Sequence, residues 1–154
     1  EYQSFRIAGL IDEVSAGAVN EQGEALVCKN RLDSGLVIEA DRSQLFRVLT
    51  NLILISGHAG AGRITITGAR DGNTIAIDVT DDGPGIPAKI RERLFQPFSA
   101  SGRAGGTGLG LAIARDLMRG HGGDIVLAAT GETGTSFHLT LPAGRHRGNG
   151  NASA

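Results

Sequence analysis

Ile75-Ala76-Ile77-Asp78-Val79-Thr80-Asp81-Asp82-Gly83-Pro84-Gly85-Ile86 is the stretch that decides the fold. Its first half alternates apolar and polar residues, the period of a half-buried β-strand. Its second half breaks that strand with glycine and proline around an acidic pair. An acid is thereby set where the backbone is free to turn sharply. A carboxylate at the end of a buried strand can accept from an exocyclic amine, which would select adenine. The hexapeptide Asp81–Ile86 alone reads equally well as a surface turn whose acids face water.

Upstream, Ile64-Thr65-Ile66-Thr67 alternates too, and Asp71-Gly72-Asn73 supplies the turn of a hairpin. Before it, Asp41-Arg42-Ser43-Gln44 is a capping-box variant in which the aspartate caps and the glutamine reaches back. Leu45, Val48, Leu49, Leu52 and Ile53 follow at helical spacing, and Gly57, Gly60 and Gly62 end the helix. Ile7 to about Val19 predicts an earlier helix after a short extended segment. Ala25–Asn30 and Leu36–Ala40 predict two strands around an Asp33-Ser34-Gly35 turn.

Downstream, residues 81–107 are punctuated by glycine and proline, and so long an irregular segment inside a small domain is usually functional. A helix is predicted from about Gly108 to Arg119. Asp124–Ala129 and Ser136–Leu141 form a last strand pair around Thr130–Gly134. Three helices and five to seven mostly hairpin-linked strands make an α+β two-layer sandwich. The reading predicts one domain over residues 1–143 and a polar, disordered tail over 144–154.

Composition agrees. The 154 residues are 40% hydrophobic and 20% charged, enough for one core. No apolar run approaches a bilayer's thickness, and no signal peptide is expected. The single cysteine, Cys28, excludes an internal disulfide framework and a multi-cysteine zinc site, which makes a reducing compartment the default. A net charge of −1 gives no basic surplus for nucleic acid or an acidic membrane face. Glycine is the outlier at 24 residues, clustered as if in loops that close over something.

Gly105-Gly106-Thr107-Gly108-Leu109-Gly110-Leu111 opens the late helix. Free N–H groups at a helix start attract anions, and glycines let phosphate come close. Thr107 is a candidate N-cap or phosphate contact. No Gly-Lys-Ser/Thr follows, so this is no Walker loop, and its spacing is not the dinucleotide fingerprint. The bland alternative is a flexible linker. Asn51, on the capped helix, is either a buried ligand or a solvated position.

In chain order, Asn51 in "RVLTNLI", "DDGPGI" at 81–86, "LFQPF" at 94–98, "GGTGLGLAI" at 105–113, "HGGDI" at 121–125 and "GTSF" at 134–137 resemble the successive boxes of one family. It is the catalytic, ATP-binding domain of bacterial sensor histidine kinases. That domain belongs to the wider ATPase group of DNA gyrase, heat-shock chaperones and mismatch-repair MutL proteins. The resemblance runs from about Phe5 to Pro142, and the "LFQPF" and "GGTGLGLAI" spellings favour the kinase branch.

The resemblance implies a Bergerat-type fold, a mixed sheet covered on one face by about three helices, with a short ATP lid at Ser99–Ala104. It implies that Asp81 binds the adenine amino group and that Gly83, Gly85 and Ile86 shape the base pocket. Gly106, Thr107, Gly108, Leu109 and Gly110 would meet the phosphates. Arg103 would reach the γ-phosphate, and Thr135 would support Asp81, through water or directly. Asn51 would offer its amide oxygen to Mg²⁺ and the triphosphate.

One position departs from the pattern. The family's early helix usually reads N-x-x-x-N, and here Asn51 is followed one turn later by Ile55. An isoleucine cannot coordinate magnesium, so weakened Mg²⁺–ATP binding or a degenerate kinase is expected, unless phosphates and water complete the shell. No histidine of the chain (His58, His121, His138, His146) is followed by an acid as a phosphoacceptor normally is. The acceptor would lie on a separate helical dimerisation domain of the same kinase, the next partner being a response regulator. The piece itself would be monomeric and cytoplasmic, without direct membrane contact, whether or not its parent protein is anchored in a membrane. The rivals are a pseudokinase docking module, supported by Ile55, and an anti-sigma-factor-type serine kinase.

Overall fold

The computed structural model describes residues 2–20, 22–58, 60–92, 94–95 and 107–143. Residues 99–106 and 144–154, which hold the expected lid, Arg103, Gly106 and the tail, lie outside them. The chain runs β1 (Tyr2–Arg6), α1 (Ile7–Ala16), β2 (Val27–Asn30), β3 (Val37–Asp41), α2 (Arg42–His58), β4 (Arg63–Asp71), β5 (Thr74–Asp81), α3 (Ala88–Arg91), α4 (Thr107–Gly120), β6 (Asp124–Gly131) and β7 (Gly134–Pro142).

Five strands form one mixed sheet in the order β2-β4-β5-β7-β6, with β2 parallel to β4 and every other pair antiparallel. Alternation does what the sequence predicts. Ile64 and Ile66 on β4, Ile75, Ile77 and Val79 on β5, and Phe137, Leu139 and Leu141 on β7 are buried on one face. Ile7, Leu10, Ile11 and Val14 of α1, Leu45, Val48, Leu49, Leu52 and Ile53 of α2, and Leu111, Ala114 and Met118 of α4 join them in a single core cluster. The other face is polar: Thr80 and Ser136 hydroxyls meet at 3.0 Å, and His138 Nδ1 lies 2.8 Å from Asp78 Oδ1.

One expectation about the early strands needs correcting. The Asp33-Ser34-Gly35 turn exists, with Gly35 N–H donating to Asp33 Oδ1 at 2.9 Å. Its flanking strands do not pair across it. β3 pairs antiparallel with β1 in a separate two-stranded ribbon, while β2 joins the main sheet beside β4. A turn motif sets local direction, but the partner of each strand is chosen by distant segments.

The start of α2 shows a similar substitution. Asp41 Oδ1 accepts from Gln44 N–H at 3.1 Å, so the aspartate caps as expected. The donor a capping-box glutamine would satisfy, Asp41 N–H, donates instead to His121 Nε2 at 3.0 Å. His121 Nδ1 in turn donates to Leu117 O at 2.8 Å, at the end of α4. Tyr2 stacks on the same imidazole, with ring centroids 5.0 Å apart.

Candidate functional site

The register that sends Val79 and Phe137 into the core sends Asp81 and Thr135 to the same side. They are directly paired across β5 and β7, at the strand ends. Asp81 is only 7% exposed and Thr135 only 3%. A buried carboxylate must be hydrogen-bonded to be tolerated. Asp81 Oδ1 accepts from Gly83 N–H at 2.9 Å and from Thr135 N–H at 3.1 Å. Among the described residues nothing donates to Oδ2. Ser15 Oγ is the only fully enclosed side-chain polar atom without a partner among the described residues, so Oδ2 keeps an opening outward. The reading of Asp81 as a solvated turn residue therefore fails, and an acceptor remains available to a donor from outside.

The adjacent acid does different work. Asp82 is exposed, and its Oδ1 accepts from Gly62 and Arg63 N–H groups, both at 2.9 Å. Those bonds, from Arg63 and then Gly62, hold its carboxyl below the ordinary 3.8 against a smaller opposing effect of burial. Asp82 thus ties the start of β4 to the end of β5.

Beyond the acids the chain makes two close approaches, the second of which only glycine allows. Gly83 lies against the backbone of Ala61, where an added Cβ would sit 3.1 Å from the Ala61 nitrogen. Gly85 has φ +94°, and a Cβ there would be driven into the Gly131 carbonyl. Ile86, 7% exposed, closes the loop, and its N–H donates to Thr130 Oγ1 at 2.9 Å. Thr130 Oγ1 also meets Thr135 Oγ1 at 2.8 Å. Asp81, Gly83, Ile86 and Thr135, each singled out from the sequence, are thus joined in one network. Thr130 completes it and was not among the candidates.

Two helices carry the remaining candidates, and they pack against each other. α4 begins at Thr107, so Thr107, Gly108, Leu109 and Gly110 form its first turn, with backbone N–H groups unpaired within the helix. α2 packs against α4 and carries Asn51, half-buried and engaged with a partner. Ile55, one turn further, is 5% exposed and belongs to the core cluster. The helix here gains apolar packing where the resemblance expects an amide. Of the 94–98 box only Leu94 and Phe95 are described. Leu94 is fully buried, and the Arg115 guanidinium lies 4.3 Å from the Phe95 ring centroid. Arg115 Nε also pairs with Asp124 Oδ1 at 3.1 Å, which ties α4 to β6. Cys28 on β2 is half-buried against the core, and burial pushes its thiol up from 9.0, away from the thiolate form.

A buried acceptor at a strand end, a glycine loop beside it and a glycine-rich helix start on an α/β sandwich are features that a nucleotide site would use. The comparisons with known proteins agree. Residues 40–145 match the family described as histidine kinase-, DNA gyrase B-, and HSP90-like ATPase, and the chain belongs to that family. It is 35% identical over 108 residues to the alginate biosynthesis sensor protein KinB of Pseudomonas aeruginosa, covering 68% of this chain and 18% of the relative. It is 40% identical over 107 residues to the sensor histidine kinase ZraS of Escherichia coli O157:H7, covering 68% of this chain and 23% of the relative. The nucleotide-free catalytic domain of the histidine kinase ThkA superimposes with a TM-score of 0.74 at 29% identity, over 93% of this chain and 96% of that one. The chain is an ATP-binding catalytic domain of the sensor histidine kinase type, and the stretch it shares with these two curated relatives is about a fifth of their length.

Proposed function

We propose that this domain binds Mg²⁺–ATP and delivers the γ-phosphoryl group to a histidine on a separate helical dimerisation domain, for onward passage to a response regulator. The open oxygen of Asp81 carries this reading. It is a buried acceptor at the end of a strand, and the exocyclic amine of adenine is the donor that fits it. Gly83, Gly85 and Ile86 lie along the base, with Thr135 holding Asp81 by its N–H. Thr107, Gly108, Leu109 and Gly110, with Gly106 before them, receive the phosphates on the N–H groups of α4. Arg103 is assigned to the γ-phosphate.

ATP supplies the phosphoryl group as substrate. The chain's own residues bind, orient and hold charge, which is most of what such transfers require. We assign no general base. Asn51 would be the one protein ligand for Mg²⁺, and Ile55, packed in the core, would offer it no oxygen, so metal dependence would be weaker than in kinases with two asparagines. We place the domain in the cytoplasm, as a monomer on its own. No helix among the described residues is long and apolar enough to cross a membrane.

The test is ATP titration with and without Mg²⁺, in the natural chain and in Ile55→Asn. The expected result is a small magnesium effect in the natural chain and a larger one in the variant. The variant also loses about 2–5 kcal/mol of stability, because an amide replaces packed apolar volume. Equal, strong magnesium dependence in both overturns the weak-metal reading. Failure of ATP to bind either protein overturns the function.

A further inference from the structure

We infer that Thr130 is a positioning residue that sets the preference for adenine over guanine. The inference rests on the reading of Asp81 as the acceptor for the base.

The first observation is how Thr130 comes to face the site. β6 pairs with β7 as Ile125↔Leu139 and Leu127↔Phe137, which puts Ile125 and Leu127 on the covered face. Strict alternation would next turn Ala129 inward and Thr130 outward. The register shifts between Leu127 and Ala129, and after that bulge Thr130 pairs with Thr135. One extra residue reverses the parity and brings a hydroxyl to the buried face, a known use of bulges beside functional sites.

The second observation is what that hydroxyl holds. The loop from Gly83 to Ile86 is pinned at both ends. Its first N–H goes to Asp81 Oδ1 and its last, from Ile86, goes to Thr130 Oγ1. Both pins converge on Thr135, whose N–H donates to Asp81 Oδ1 and whose hydroxyl meets Thr130. Thr130 Oγ1 already accepts the Ile86 N–H, which makes its own O–H the better donor. On that ground we assign Thr130 as the donor to Thr135, which leaves the Thr135 proton to point away from Thr130.

The site then offers an acceptor, Asp81 Oδ2, and a donor, the Thr135 O–H, reaching the base directly or through one water. Adenine presents a donor at N6 beside an acceptor at N1. Guanine presents the reverse, an acceptor at O6 beside a donor at N1. Without Thr130 the Thr135 hydroxyl is free to rotate and to accept, so discrimination falls.

The experiment measures ATP and GTP dissociation constants for the natural chain, Thr130→Val, Thr130→Ser and Asp81→Asn, with urea unfolding of each. In Thr130→Val, ATP binding is expected to weaken about tenfold while GTP binding changes little, so the ratio of the two falls by about that factor. Thr130→Ser restores the ratio. If Thr130→Val is too unstable, Thr130→Cys, with a weak donor of similar shape, is expected to lower the ratio by a smaller factor. A ratio unchanged within twofold in the folded Val or Cys variant overturns the inference, even if both nucleotides bind less well, since that is a purely structural effect. If Asp81→Asn binds ATP as the natural chain does, it is the base-acceptor reading itself that fails.

Discussion

Replacing Asp81 with asparagine and with alanine separates the two jobs of its carboxylate. Asparagine has the same shape. Its amide oxygen can take the place of Oδ1 and keep the N–H bonds from Gly83 and Thr135, 2.9 and 3.1 Å long in the natural chain. Losing the charge on those bonds costs about 1 kcal/mol of stability. The amide nitrogen then replaces Oδ2 and presents a donor to the adenine amine. Loss of a bond to a charged acceptor is worth about 1.5–3 kcal/mol, or roughly 10- to 150-fold in Kd, and the donor–donor contact moves the result toward the upper end. Alanine instead orphans both N–H groups in a site where Asp81 is 7% exposed and Thr135 is 3% exposed. At about 1–3 kcal/mol for each, stability falls by roughly 2–6 kcal/mol, a large part of a domain's usual margin. Isothermal titration with ATP and urea unfolding measure the two effects separately. If Asp81→Asn keeps its ATP affinity within twofold while Asp81→Ala unfolds, the carboxylate is a brace and nothing more, and the assignment of the base fails.

Gly85→Ala forces a side chain onto a φ of +94° and against the Gly131 carbonyl. It is expected to cost at least about 1–3 kcal/mol by denaturant unfolding. Gly131→Ala, whose Cβ would meet nothing within 4 Å, stays within about 0.5 kcal/mol as a control. Asp82 gives a pH dependence of known sign. Its carboxyl is held below 3.8 by the Arg63 and Gly62 N–H groups, so the unfolded chain takes up the proton first. The resulting stability is complete above the ordinary aspartate range and drains away as pH falls through the lower folded value. Asp82→Asn should flatten that part of the stability–pH curve between about pH 5 and 2, and an unchanged slope would show that the two N–H bonds contribute nothing.

Much of the architecture was legible because local signals agreed with the final packing. α2 has a cap, a helical stripe and glycines beyond its end, and Asp71-Gly72-Asn73 sits between two alternating runs that do pair as β4 and β5. Asp81 is legible for a sharper reason. It continues the inward parity of Ile75, Ile77 and Val79, so an acid stands where an apolar residue is expected. The pairing of β2 and β3 was not legible, since the choice between neighbouring and distant partners is made by tertiary contacts. Thr130 was hidden by the bulge. Counted straight along β6 it belongs on the outer face, and a register shift leaves no mark in residue type. The role of His121 in completing the start of α2 was equally hidden, because its acceptor nitrogen meets a backbone N–H 80 positions away.

That imidazole has a mechanical consequence. It rivets three pieces of the molecule together: the ring of Tyr2 on β1, the backbone where β3 passes into α2, and the last turn of α4. α4 is a rod of 14 residues, about 21 Å long at 1.5 Å per residue. A tug along the β1–β3 ribbon is therefore applied at the far end of the same rod whose near end opens the glycine-rich turn.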